Sequence, residues 1–477
     1  MSAYNSTMIL AILPEILLLV LAVLGLLFDV LWKGDKRRSL GWLTAVGLAL
    51  ISMVSLLIGR PGEPQAVFGG MLRFDWLGFV FKQIFLLGAM ATALLMMDIE
   101  KLGRRGQSYA LLLAATLGMN LMASAADLVM LYLAIETTSI PLYVLAGFLL
   151  EDDRSTEAGF KYLLFGAMTS AVLLYGFSLL YGFSGTTSLT AFTGDLRLAL
   201  GLVFLIVVGI GFKVSIVPFH FWAPDTYEGA PTPVAGFLST ASKAAGFAVL
   251  LRLFLIAFPH FTAEWATVLA VLSTVTMTVG NLLALAQKNI KRLLAYSSIA
   301  HAGYILIGVV AASKLGVASV IFYLITYLLT NLAAFGIVAA FGRVTGSDEI
   351  ASYAGLSRRS PALALAMLVA FLSLAGMPPF GGFIAKVLVF TAAVETGWVW
   401  LAIVGVINSI IGLYYYLTVL KFVYLYRMEG EDEERYPVPM TRPYALALTA
   451  LSIAILVIGV LFAPWFNLAG DAALNLF

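Results

Sequence analysis

The sequence predicts an all-α polytopic membrane protein of about fourteen transmembrane helices, two of them discontinuous, with an inverted pair of five-helix repeats. Three observations lead there. Of 477 residues, 61% are hydrophobic and only 11% are charged. Mean hydropathy is +0.99. Apolar runs long enough to cross about 30 Å of hydrocarbon recur from end to end, with no polar stretch in which a soluble domain would sit. The 28 Lys and Arg nearly cancel the 26 Asp and Glu, leaving a net charge of +2. No basic field therefore points to nucleic acid. The absence of cysteine excludes disulfides, thiolate chemistry and cysteine-ligated clusters.

Taken in order, the apolar runs place spans at 8–30, 41–59, 76–97, 109–125, 127–149, 160–182, 198–217, 233–258, 264–286, 292–312, 316–341, 361–394, 399–426 and 443–465. The first has no basic leader and no convincing small-residue cleavage site, and is expected to be retained. The fourth and fifth are divided only by a tight turn at Ala125 to Asp127, and the twelfth is interrupted. Loops after odd-numbered spans hold seventeen basic residues, among them Lys33, Lys36, Arg37, Arg38, Arg104, Arg292 and Arg359. Loops after even-numbered spans hold four: Arg60, Arg73, Arg197 and Lys314. Short basic loops stay in the cytoplasm, so both termini are expected on the non-cytoplasmic side of a bacterial cytoplasmic (inner) membrane. Four segments follow: 1–108, an N-terminal three-helix segment; 109–258, a first five-helix repeat; 264–426, a second; and 443–477, a last helix and tail.

Seven basic residues remain inside or at the margins of spans: Lys82, Lys161, Lys213, Lys243, Arg252, Lys386 and Lys421. For Lys82, Arg252 and Lys421 the expectation is snorkelling, a long side chain carrying its charge to the interface. Lys213, Lys243 and Lys386 are too deep for that, in small-residue or Gly-rich surroundings, and the membrane part has too few acids to pair each with a carboxylate. Glu136 lies equally deep in LVMLYLAIETTSIPLYVLAGFLL. Removal from water penalises the charged form of either group, so each can gain and lose a proton, and each site's charge biases the next. Lys161, at the start of the sixth span, is a further candidate member. His301, beside Ser297, Ser298 and Tyr304, is another, because imidazole exchanges protons near neutral pH.

Two spans carry breaks next to these groups. Pro218 follows Lys213, and Pro378 with Pro379 precedes Lys386. Unpaired backbone at membrane depth is tolerated where it faces protein or water, a frequent feature of ion pathways. The breaks fall five spans apart, so the two would cross in opposite senses. His220 and His260 form no metal cluster with His301. GFSG and GMPPFGG lack the ending of a phosphate loop. The acidic run from Glu429 to Glu434 is expected to be a solvated cytoplasmic face.

The string GFKVSIVPFHFWAPDTYEGAPTPVAGFLSTASKAAGF, from Gly211 to Phe247, resembles the signature of the antiporter-like membrane subunits of respiratory complex I and of the multisubunit sodium/proton antiporters. KRLLAYSSIAHAGY from Lys291 and LAGMPPFGGFIAK from Leu374 are similar to the same family, and the wording is closer to its N type than to its L or M types. The resemblance covers essentially the whole chain. It implies a proton-translocating subunit of an NADH-quinone oxidoreductase, coupled to quinone reduction elsewhere. NADH, FMN, iron–sulfur clusters and quinone would belong to other subunits, with no cofactor or metal in this chain. Its partners would be membrane-arm subunits, including an M-type neighbour and small membrane subunits, and lipids. The family's functional positions fall on Glu136, Lys213, Lys243 and Lys386, with His301 and Lys161 as further correspondences. Two other readings stay open on the residues alone: independent cation/proton antiport, and a structural member without its own channel.

Overall fold

Most of the chain is helical because its apolar runs are long and their backbone groups must be satisfied within the segment wherever lipid replaces water. The computed structural model describes residues 6–190, 199–427, 438–474 and 476. The acidic run from Glu429 to Glu434 lies outside them. Among the described residues eleven helices are long and apolar enough to cross a membrane. With Gly106–Ser124 and the two broken spans, all fourteen expected crossings are present.

In chain order these are α1 (Leu13–Leu31), α2 (Ser39–Ile58), α3 (Trp76–Met96), α4 (Gly106–Ser124), α5 (Leu128–Ala146), α6 (Asp153–Ser184), α7 (Ala199–Val214) with α8 (Trp222–Gly229), and α9 (Thr232–Ala257). There follow α10 (Thr262–Leu285), α11 (Ile290–Val310), α12 (Lys314–Thr345), α13 (Pro361–Ala375) with α14 (Gly381–Glu395), α15 (Val399–Tyr424) and α16 (Arg442–Val460). The expected tail instead forms a separate helix, α17 (Phe462–Leu474), and a two-stranded hairpin, β1 (Gln65–Val67) and β2 (Leu72–Phe74), precedes α3. The sixth span begins seven residues earlier than its apolar run, because Asp152 caps it through the Arg154 N–H. α3, α9, α11 and α12 are almost wholly buried, while α1, α2 and α6 turn most of their apolar surface outward.

The two five-span sets match element by element. α6 and α12 each run 32 residues and each stops at a left-handed glycine, Gly185 and Gly346. Asp127 caps α5 and bridges to Ser188; Asn289 caps α11 and bridges to Glu349. The same backbone bonds recur, Leu128 N–H to Thr187 O at 2.8 Å and Ile290 N–H to Asp348 O at 2.8 Å. Gly118 of α4 meets Thr138 so closely that a Cβ would lie 2.5 Å from its nitrogen, and Gly280 of α10 meets Ala300 with 2.6 Å in the same sense. Both breaks hold a residue at positive φ, Ser215 and Gly376, and a cis peptide before Pro218 and Pro379. A single shift of 161 residues carries Gly185 to Gly346, Ser215 to Gly376 and Pro218 to Pro379. An odd number of crossings separates the copies, which makes the pair inverted.

Two of the three snorkelling expectations are overturned. Lys82 is buried, forms an ion pair with Glu15 Oε1 at 2.7 Å and donates to the Ala11 carbonyl at 2.7 Å. Arg252 is buried with its guanidinium bidentate on Asp75, at 2.9 and 2.7 Å, and its Nε on the Ala123 carbonyl. Both acids sit in or beside apolar helices facing inward, so these cations have partners within reach and need not extend to the interface. Lys421 is exposed near the end of α15, 5.0 Å from the Tyr426 ring centre, as expected. Replacing Arg252 with Met takes the bidentate partner from buried Asp75 and leaves it Arg73, at 3.3 Å, and the Gly78 N–H, at a cost below the about 3–5 kcal/mol of a fully broken buried pair. The expected result is a lower unfolding temperature of the solubilised protein, recovered in large part when Asp75→Leu is added.

Candidate functional site

Glu136 lies in the middle of α5 and is only partly buried. It accepts a short hydrogen bond from Ser170 of α6, whose hydroxyl also lies 3.3 Å from the Tyr132 hydroxyl. Beside it a groove of about 630 Å³, lined by Tyr132, Leu133, Leu174 and Phe177, opens on the flank between α5 and α6. Three residues along, on the adjoining turn of the same helix, Ser139 Oγ accepts from Lys213 Nζ at 2.8 Å.

Lys213 is in the last turn of α7, where the break begins. Val214 ends the helix and Ser215 takes a positive φ, while Thr276 receives the freed Val217 N–H at 3.1 Å. The stem of Lys213 crosses Gly246 of α9, where a Cβ would come 3.4 Å from Lys213 Cγ. Glycine there brings α9 close. Lys243, one turn earlier on α9, follows a π-helical turn, Leu238–Ser242, the kind of irregularity that re-aims a side chain at functional sites. Its ammonium donates to Ser298 of α11, to Oγ at 2.6 Å and to the carbonyl at 3.0 Å.

Ser298 lies one turn from His301. His301 Nδ1 is 2.7 Å from the Tyr323 hydroxyl, and Nε2 is 3.2 Å from the Tyr416 hydroxyl, which makes a short bond with Ser297. Tyr304, on the next turn, stands edge-on to His301, and its ring centre is 5.0 Å from Lys386 Nζ. Lys386, on α14, donates to the Leu374 and Ala375 carbonyls at the end of α13, at 3.2 and 3.0 Å, and to Ser409 Oγ at 2.9 Å. Those carbonyls are the ones a helix end leaves without an N–H partner. The lysine thus closes the second break electrostatically.

The structure brings five of the six candidates, Glu136, Lys213, Lys243, His301 and Lys386, into one line through α5, α7, α9, α11 and α14. Lys213, Lys243 and Lys386 are 5%, 2% and 5% exposed, and among the described residues no carboxylate oxygen comes within 4 Å of their ammonium groups. Each is held by hydroxyls and carbonyls instead. The sixth, Lys161, stands apart. It bridges Glu157 and Asp225 at 2.7 Å each, and Arg292 bridges Asp225 and Glu228 at 2.8 Å each. These residues line a polar cavity of about 240 Å³ at the end carrying the basic loops. Under the repeat's shift, Lys386 corresponds to Asp225 and Lys213 to Leu374, so the lysines at the two breaks are not copies of one another.

The residues not foreseen are most of the bridging ones: Ser139, Ser170, Tyr323, Tyr416 and Ser409, whereas Ser298 is already marked in the sequence as a neighbour of His301. Hydroxyls are common in apolar helices and carry no signal until the neighbouring helix is placed. His220 is buried just past the first break, with Nδ1 lacking a hydrogen-bond partner. Among the described residues no group of three or more His, Asp or Glu is arranged to hold a metal.

With this geometry in place, comparison with known proteins is decisive. The family model described as "NADH:quinone oxidoreductase/Mrp antiporter, TM" matches residues 125–412. The chain belongs to this antiporter-like family. Its match begins at the α4–α5 turn and ends inside α15, so it takes in every member of the line. A relative named NADH-quinone oxidoreductase subunit N from Heliobacterium modesticaldum is 45% identical over 452 residues, covering 93% of this chain and 94% of that protein. A chain of the respiratory complex I of Thermus thermophilus, solved with bound aureothin, matches with TM-score 0.82 and 37% identity, over 96% of this chain and 99% of that one. A chain of the Mrp complex of Dietzia shares the fold alone, with TM-score 0.85 at 22% identity over 98% and 97% of the two chains. Antiporter-like subunits of both kinds of assembly thus share this architecture.

Proposed function

We propose that the chain translocates protons across the membrane as a subunit of an NADH-quinone oxidoreductase, through the line Glu136, Lys213, Lys243, His301 and Lys386. The observation that carries this reading is the set of three buried lysines held only by hydroxyls and carbonyls. A buried cation fixed for structure is paired with a carboxylate, as Arg252 is with Asp75. An ammonium group without one is charged or neutral according to its neighbours, which is what a relay needs.

In this reading protons enter on the cytoplasmic side, past the charged cavity around Lys161, and pass between ammonium groups and the serine and tyrosine hydroxyls that join them. Electron transfer and its NADH, FMN, iron–sulfur and quinone groups belong to other subunits. Segments 109–258 and 264–426 are the two working halves, and both termini lie outside the cytoplasm of a bacterial inner membrane. Ammonium groups hand on protons and repel a sodium ion, which favours proton transfer over cation exchange.

The test is proton uptake by vesicles holding the assembled complex, with choline in place of sodium. Native complex is expected to build the same gradient in either salt, and Glu136→Gln to build it about tenfold more slowly, equal to about 1.4 kcal/mol on the limiting step. A gradient that vanishes without sodium would favour antiport. Native pumping by an assembled Glu136→Gln complex would return the line to a structural role.

A further inference from the structure

The N-terminal segment holds a second set of buried charges that the relay does not use. Glu15, in the first turn of α1, and Lys82, in α3, are each 5% exposed; their ion pair lies among apolar helices far from the five-residue line in sequence. The pair is incompletely satisfied. Lys82 Nζ lies 2.7 Å from Glu15 Oε1 and donates to the Ala11 carbonyl, whereas neither Glu15 oxygen has a hydrogen-bond partner among the described residues. A buried carboxylate oxygen with no donor is costly unless it is protonated or hydrated.

A cavity of about 10 Å³ lies on the Lys82 side of the pair, lined by Pro14, Ser55, Arg73, Asp75, Lys82 and Ser124, with Glu15 one residue beyond Pro14. That volume is at the lower limit of what holds one water, and its polar lining offers the two to four partners a buried water needs. Arg73 and Asp75 belong to the end of the β-hairpin and the start of α3, on the face opposite the basic loops. Arg73 is partly exposed and lies 3.3 Å from Asp75. Asp75 is held in turn by Arg252, on the same helix as Lys243. The charged groups around the site are therefore Lys82, Arg73, Asp75 and Arg252, and they join it to surface water on one side and to the relay helix α9 on the other.

We propose that Glu15 and Lys82 form a second proton-holding site, which exchanges protons with the face opposite the basic loops through the water-sized cavity beside Asp75. It rests on the reading that the chain moves protons, and gives the first half of the molecule its own group on the release side. A proton held there resides on Glu15 with Lys82 neutralising the carboxylate once it departs. The proton passes by way of the cavity water to the hairpin.

The test uses the assembled complex. Dicyclohexylcarbodiimide reacts with a protonated, membrane-buried carboxyl group and spares a permanently ionised one. Mass spectrometry of the treated native complex is expected to find the adduct on Glu15, increasing as pH falls; its absence from mildly alkaline to mildly acidic pH would overturn the proposal. The variant Glu15→Gln/Lys82→Met removes both charges together and leaves no charge stranded. It is expected to pump about tenfold more slowly. Native pumping by that variant also overturns the proposal, since a purely structural tie tolerates joint neutralisation. Should the variant not assemble, the labelling of the native complex decides. Failure of the relay reading itself is separate, because it is read from Glu136→Gln and from Lys213→Ala beside Lys213→Met.

Discussion

An assembled complex carrying Lys213→Ala is expected to lose both proton pumping and quinone reduction, each by about tenfold or more, equal to at least 1.4 kcal/mol on the limiting step. The reason is positional. Lys213 is the member of the line that joins Glu136, through Ser139, to the second half of the first repeat. Its stem also fills the crossing at Gly246, so alanine leaves a gap as well as a missing proton carrier. Lys213→Met fills that gap without restoring the proton site and separates the two effects. If Met recovers pumping, packing was the contribution; if Met and Ala fail alike while quinone reduction and pumping fall together, the ammonium group was. Vesicle acidification and quinone reduction measured on one preparation, with assembly checked, give the answer.

The second large effect is expected at Lys386. Removing it takes away the donor for the Leu374 and Ala375 carbonyls as well as the last buried ammonium of the line. Lys386→Ala is expected to stop proton release, with pumping down about tenfold or more, while Ser409→Ala, which removes one of three acceptors, slows it only severalfold. Lys386→Arg keeps a charge but not the function. Guanidinium does not give up its proton, and Gly376 leaves no room, a Cβ there already falling 2.8 Å from Lys386 Cδ. Pumping in the arginine variant at the native rate would show that a fixed charge suffices and that no proton resides at this position.

Much of this arrangement was legible in the sequence, for identifiable reasons. The spans follow from apolar runs, and their alternation from where Lys and Arg fall. Lys213, Lys243 and Lys386 stood out because an unpaired ammonium is rare at that depth. Lys82 and Arg252 were misjudged because their partners, Glu15 and Asp75, are distant in sequence and look like helix-end acids until α1 and α3 are packed. Lys161 was legible as an ionisable group but not as a surface bridge, since Asp225 reaches it only once the first break folds α8 back. The repeat was visible in the spacing of two proline breaks. Its register, in which Lys386 matches Asp225 rather than Lys213, needed the paired bridges at Asp127 and Asn289.

That no carboxylate among the described residues comes within 4 Å of the three lysines has an electrical consequence. A proton adds one elementary charge wherever it binds, but on these lysines it turns a neutral amine into an ammonium with no carboxylate within 4 Å among the described residues, so the added charge stands uncompensated within the bilayer. A membrane potential acts on such a charge with about 2.3 kcal/mol per 100 mV over the full crossing, and with a proportional share at intermediate depth. In the proposed relay, occupancy of the line is therefore a function of voltage. As the potential rises, the sites nearest the positive side become harder to fill, so the opposing gradient restrains turnover at the membrane helices themselves, without any separate sensor.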